Sequence, residues 1–244
     1  MRTRPWILAL GWIALTTSTA THAQPPGFDR GGAGFFTLGL RWTDPGALNR
    51  TLTRTGFAPL PDRFVSLGGG GWAVLGRLLL GGEGHGLLDR RTAADGREAR
   101  LSGGYGFFDL GYVIARSSAW QAYGLVGLGG GRWSLRIQEA GRIPDFPDLL
   151  RRPAGGLRLT TGGFLLQAAL GLDARVPLVR RPRYQGDFLL GLRVGYVWQP
   201  GEAAWRLEGT PVVGGPDFRL TGPAVRLSLG WQGLRMRRSE ASQP

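Results

Sequence analysis

FLLGLRVGYVW, residues 188–198, alternates with a period of two. One face reads Phe188, Leu190, Leu192, Val194, Tyr196 and Trp198; the other reads Leu189, Gly191, Arg193, Gly195 and Val197. Successive side chains of a strand point to opposite faces, so this is a strand with one large apolar face and one small face carrying a charge. The same division recurs along the chain. Phe36, Leu38, Leu40 and Trp42 oppose Thr37, Gly39, Arg41 and Thr43; Phe108, Leu110, Tyr112 and Ile114 oppose Tyr105, Asp109 and Gly111. Phe164, Leu166, Ala168, Leu170 and Leu172 oppose Gln167, Gly171, Asp173 and Arg175, and Val225, Leu227, Leu229 and Trp231 oppose Arg226, Ser228, Gly230 and Gln232. In a sixth segment Trp133, Leu135 and Ile137 oppose Arg132, Ser134 and Arg136.

Eight strands are predicted, near 33–43, 63–75, 78–89, 99–116, 120–138, 159–177, 186–200 and 223–235. Short turns follow the second, fourth and sixth, at 76–77, 117–120 and 180–185. Long connections follow the first, third, fifth and seventh, at 44–62, 90–98, 139–158 and 201–222. An even strand number then puts every short turn at one end and every long loop at the other. That is the layout of an all-β, eight-stranded antiparallel up-and-down transmembrane β-barrel of a bacterial outer membrane. The polarity of the faces separates this from a soluble barrel, which fills its interior with large apolar groups. Here the apolar face is unbroken by charge over four to six positions, as a lipid-facing band requires, since an arginine at mid-depth there costs about 2–4 kcal/mol. Aromatic residues expected at the two membrane interfaces are Trp42, Trp133, Tyr196 and Trp198 at the loop end and Tyr112, Tyr123, Phe188 and Trp231 at the turn end.

Residues 1–23 have the form of an export signal. Arg2 and Arg4 precede the ten-residue apolar run WILALGWIAL (6–15), and Thr21-His22-Ala23 is an acceptable cleavage site. Ten apolar residues are too few for a spanning helix, which needs about 20. Residues 24–236 form the barrel and 237–244 a polar tail. The net charge falls from +13 to +11 once Arg2 and Arg4 are removed. Glycine takes 43 of 244 positions without a Gly-X-Y period, which excludes collagen. The absence of cysteine excludes disulfide scaffolds, thiol catalysis and a lipoprotein anchor; the absence of lysine excludes Schiff-base chemistry. Export and the dispersal of arginines through strands argue against nucleic acid as a partner.

The chain resembles the small eight-stranded outer-membrane barrels of the outer membrane protein A and X type. The resemblance covers nearly all of the mature chain, including SLGGGGWAVLGRLLLGGEGHGL (66–87) and GGYGFFDLGYV (103–113). It implies outer-membrane lipid and the barrel-assembly machinery as partners. Barrels of this kind usually end on an aromatic residue, whereas this chain ends Gln-Pro with Trp231 as its last aromatic residue.

Ten charged groups are assigned to the lumen: Arg41, Glu83, His85, Asp109, Arg132, Arg136, Asp173, Arg175, Arg193 and Arg226. An eight-stranded barrel is only wide enough for side chains to fill. Buried charges must be paired, so a salt-bridged plug is expected in which Glu83, Asp109 and Asp173 each hold arginine. The excess of basic groups leaves an anion-leaning channel, or a small-molecule transport protein, as the alternative. A second alternative is a lipid-modifying enzyme, since Glu83 and His85 share a face. Barrels that deacylate lipid use a His-Ser pair, and Leu87 stands where the serine belongs. One mature histidine is too few for the usual zinc sites, and no cofactor is expected. Arg90, Arg91, Arg97, Arg142, Arg151, Arg152 and Arg158 in the outer loops are candidate contacts for lipopolysaccharide phosphates. The leading expectation is a non-enzymatic barrel with a structural, adhesive or lipid-interacting role; the sequence sets no oligomeric state.

Overall fold

A computed structural model describes residues 28–139, 156–181, 183–201 and 204–236. Eight long antiparallel strands dominate: β1 Phe28–Trp42, β2 Arg63–Leu75, β3 Leu78–Ala94, β4 Arg97–Arg116, β5 Trp120–Glu139, β6 Leu157–Arg181 and β7 Tyr184–Trp198, then, after two short strands, β10 Gly222–Met236. Each pairs with its sequence neighbour, β7 pairs with β10, and β10 returns to β1, so the sheet closes on itself. Closure leaves no edge with unpaired N–H and C=O groups, the condition for a sheet to sit in hydrocarbon.

The wall is apolar outside. Leu172, Leu192, Leu227, Leu38 and Leu67 stand in register across five adjacent strands. All five point outward and are 44–53% exposed. The Phe, Leu, Val and Ile side chains on the same face of the other strands are exposed too, while Arg41, Glu83, Asp109, Asp173, Arg175, Arg193 and Arg226 are buried inside. This inversion of the soluble pattern makes the fold a transmembrane β-barrel. Among the described residues no helix is long and apolar enough to cross a membrane.

One end of the barrel has tight turns. Gly76 takes φ +61° in the two-residue turn between β2 and β3. Between β4 and β5, Ser117 Oγ accepts hydrogen bonds from the N–H groups of Ala119 and Trp120, each at 3.1 Å. The other end holds longer connections, with one correction. The expected loop 90–98 does not exist. Strands β3 and β4 run on to a two-residue turn at Asp95-Gly96, both with positive φ (+45° and +71°). That is the backbone of a type I′ hairpin, which an Asp-Gly pair favours.

The first long connection contains an unanticipated helix, α1 (Gly46–Arg54), whose Leu48 and Leu52 turn inward one helical turn apart. Asn49 fixes its return by exchanging two 2.8 Å hydrogen bonds with the backbone of Leu60. The last connection carries a small hairpin, β8 (Arg206–Leu207) and β9 (Thr210–Pro211), with β8 paired to the loop-end half of β6. The proposed signal segment 1–23, most of the 139–158 loop and the tail 237–244 lie outside the described residues.

Leu192 sits at mid-height of the apolar band, so Leu192→Arg should destabilise the folded barrel in lipid by about 2–4 kcal/mol. Gln138→Arg, exposed at the loop end beyond the band, should change stability by less than about 0.5 kcal/mol. Denaturant unfolding in lipid vesicles checks the pair, and equal costs would contradict the placement of the band.

Candidate functional site: the lumen

The inward side chains form two apolar clusters with a charged cluster between them, and a further polar group lies near the β6–β7 turn. At the turn end, Phe35, Trp72, Val74, Leu79, Val113, Tyr123, Leu125, Ala169 and Leu234 form an apolar floor. At the loop end the strands and the connections above them bury a larger ceiling. In it Leu48, Leu52, Phe57 and Leu60 from 44–62, with Trp205, Phe218 and Leu220 from 199–221, meet Phe64, Leu101, Trp133, Leu135 and Leu165 of the wall. The Trp133 ring lies 4.9 Å from both Phe64 and Phe218.

Between floor and ceiling lies the charged layer, centred on Glu83 of β3. Its two carboxylate oxygens pair with Arg193 of β7 and Arg226 of β10. Gln167 Nε2 of β6 donates to the Glu83 carboxylate at 3.0 Å and to Asp109 at 2.6 Å, while Gln167 Oε1 accepts from Arg226 at 2.9 Å. One carboxylate, one amide and two guanidiniums thus tie four strands together across the lumen. His85 completes the group. Its Nε2 lies 3.5 Å from Glu83 and 3.3 Å from Arg226, its Nδ1 is 3.3 Å from Thr37 Oγ1, and its ring stacks on Tyr105 at 4.8 Å. Arg193 packs its guanidinium 4.7 Å from the centre of the Trp72 ring, where the charge meets the negative face of the π-system.

Nearer the turn end, Asp173 accepts from Gln121 Nε2 at 2.9 Å and from the Tyr123 hydroxyl at 3.2 Å. Arg175 pairs with Asp187, which also accepts from Gln185 at 2.8 Å. Toward the ceiling, fully buried Arg41 donates to the Leu220 carbonyl and lies 4.7 Å from the Tyr105 ring.

Four expectations need correction. Asp109 and Asp173 are held by amide and hydroxyl donors rather than by arginine, whereas Asp187, which the sequence reading missed, takes Arg175. Arg132 and Arg136 face outward, and Trp133 is buried inside. Tyr123, assigned to an interfacial ring, points into the lumen. The expected positive excess is absent. Buried Arg41, Arg175, Arg193 and Arg226 meet buried Glu83, Asp109, Asp173 and Asp187, an even balance among the described residues. Of the remaining interfacial aromatics, Trp42 is half-buried; Tyr196 and Trp198 lie exposed toward the loop end, and Tyr112, Phe188 and Trp231 toward the turn end.

Of the arginines expected in outer loops, Arg142, Arg151 and Arg152 lie outside the described residues. Arg90, Arg91 and Arg97 belong to the β3–β4 hairpin and Arg158 to β6. Arg90 donates to the Arg63 carbonyl at 3.0 Å. Arg97 stands over Phe57 at 5.3 Å.

No family model matches this chain, and no curated protein matches it either. Solved structures do. The attachment invasion locus protein Ail of Yersinia pestis is similar over 86% of this chain and 99% of its own, at 12% identity and a TM-score of 0.41. The outer membrane protease OmpT from Escherichia coli is similar over 89% of this chain and 99% of its own, at 9% identity and a TM-score of 0.34. The barrel described above stands on its own strand pairing and the polarity of its faces.

Glu83 is the hub of the charged layer, so Glu83→Ala leaves two buried guanidiniums without their carboxylate and should cost about 3–5 kcal/mol. Asp109→Ala removes a single hydrogen bond to Gln167 and should cost about 1–3 kcal/mol. Unfolding of both variants in the same detergent checks the order, and a larger loss for Asp109→Ala would place the hub elsewhere.

Proposed function

We propose that this protein is a non-enzymatic, non-conducting barrel of a bacterial outer membrane, serving a structural or surface-interaction role with its loop end outward. The observation that carries this reading is a lumen filled by side chains inside an apolar wall. A conducting path needs a continuous hydrated route, and here the side chains of the Glu83 network cross the lumen between two apolar clusters. Charge balance within the lumen also removes the reason to favour an anion path.

The enzymatic alternative has less support. His85 is buried, stacked on Tyr105 and turned toward Thr37, Glu83 and Arg226. A lipid-modifying histidine has to meet its substrate at the outer face of the wall, and this ring is on the inner face. The export signal read from residues 1–23 and the lipid-facing band together favour the outer membrane as the location.

The protein reconstituted into planar bilayers should show no steady conductance, and Gram-negative cells producing the full chain should hold it in the detergent-soluble outer-membrane fraction. A stable, ion-selective conductance of the wild-type protein would replace this reading with transport. Recovery as a freely soluble periplasmic protein would overturn the location.

A further inference from the structure

Immediately beyond the apolar band, the outer face of β5 and β6 changes from hydrocarbon to arginine. At the top of the band Leu128 pairs with Leu166 and Gly130 with Phe164. The next outward residue of β5 is Arg132, opposite Gly162, about 7 Å further along the strand. On its other side β6 meets β8, where Thr160 pairs with Arg206. Arg132 and Arg206 thereby flank a cleft of about 440 Å³ with Thr160 on its wall and a floor of glycine, Gly162 and Gly163 among them. Both arginines are exposed.

A second feature lies two outward positions further along β5 from the membrane. Arg91 pairs with Arg100, Arg100 with Arg136, and Arg136 with Arg158, so four arginines form one row across β3, β4, β5 and β6. At the usual strand spacing the row is about 14 Å long. Like charges directly opposite each other destabilise a sheet. Glu98, 3.6 Å from Arg91, and Asp89, paired with Arg100, offset part of the repulsion. Arg136 and Arg158 make no carboxylate pair among the described residues. Folding has no use for such a row, whereas an anionic ligand would offset its repulsion.

We infer that this face binds a phosphorylated glycolipid of the outer leaflet, with one phosphate in the cleft between Arg132 and Arg206 and further anionic groups along the row from Arg91 to Arg158. The depth matches. Phe164 and Leu128 give the acyl chains an apolar wall, Arg132 and Arg206 stand at headgroup height, and the row stands at the height of a saccharide. Guanidinium groups suit phosphate because they bind it with two parallel hydrogen bonds. The inference rests on the membrane reading above.

Its test uses the protein folded into phosphatidylcholine vesicles and offered three probes: bisphosphorylated lipid A, the same lipid with its phosphates removed, and soluble heparin. Bound lipid is counted by native mass spectrometry after gentle detergent extraction. Bisphosphorylated lipid A should bind at least tenfold more tightly than the dephosphorylated form. Arg132→Gln combined with Arg206→Gln should abolish that preference while the β-sheet circular dichroism of the inserted protein is unchanged. Arg136→Gln with Arg158→Gln should weaken it severalfold. Should the double variant fail to insert, Arg206→Gln alone, on the exposed hairpin, is read for the same loss. Equal binding of the two lipids, or an undiminished preference without Arg206, overturns the inference. Tighter binding of heparin than of lipid A also overturns it, reassigning the row to a soluble polyanion. A wild-type protein that does not insert at all overturns the membrane reading, which the insertion control separates from a failure of lipid binding.

Discussion

The pairing of β1 with β10 is the constraint on which everything else in this barrel depends. In hydrocarbon an unpaired backbone N–H or C=O costs several kcal/mol, so the first and last strands must meet. They do so along nearly their whole length, from Phe28 opposite Met236 to Arg41 opposite Ala224. Closure at eight strands fixes the width of the lumen, and the width decides its contents, because side chains alone fill a ring of this size. Register then selects which side chains those are. A slip of one residue would send Arg193 and Arg226 to the lipid and Leu192 and Leu227 to the lumen.

Glycine is what lets so narrow a lumen hold a polar network. A side chain at Gly127 would collide with Asp109 and with Gln167, and one at Gly191 with Ser228 and Asp173. Each of these glycines faces inward beside a carboxylate that crosses the space a side chain would take. The small faces seen in the sequence are therefore room for the long polar side chains of opposing strands. Val197, at the loop end of the same face of β7, lies where the ceiling needs apolar filling instead.

Strand number, order and most facings were legible because alternation persists wherever the two sides of the wall differ in solvent. The error in β5 has a physical cause. Inside the membrane zone the outward face is apolar and the lumen polar; beyond it, the outward face meets water and the lumen is filled by the ceiling. Polarity inverts at that boundary while the period continues without a break. Tyr123, Leu125, Trp133 and Leu135 all share one phase and all point in, and the exposed Val126 and Leu128 mark the opposite phase. Counting parity outward from those two would have placed Trp133 inside and Arg132 outside. The Asp95-Gly96 pair was also visible in the sequence as a turn-forming pair, inside the stretch 90–98 that was expected to be a loop. The ceiling was less legible. Leu48 and Leu52 have helical spacing, yet nothing local says that a nine-residue helix will fold over a barrel mouth; that follows only from the apolar surface waiting there. The partner of Arg175 could not be read from spacing either, since Asp187 becomes its neighbour only through the pairing of β6 with β7 across their turn.

The distribution of charge follows from the same closure. The whole chain carries a formal charge of +13, yet the lumen is balanced, four arginines against four carboxylates among the described residues. Desolvation imposes that neutrality, because an unmatched buried charge costs far more than an exposed one. The surplus must then be exterior, where water removes most of the cost. It is not spread evenly. At the turn end the exposed described side chains include Arg30, Arg77, Arg180, Arg181, Arg183 and Arg235, without a described carboxylate among them. At the loop end arginines are interleaved with Asp44, Asp62, Asp89, Asp95, Glu98, Glu139, Glu208 and Asp217. A mixed surface needs no single-sign counterpart, so charge at that end gains meaning only where it is locally concentrated. Registered pairing of β3 to β6 creates such a concentration, gathering arginines from segments far apart in the chain into one row just above the lipid.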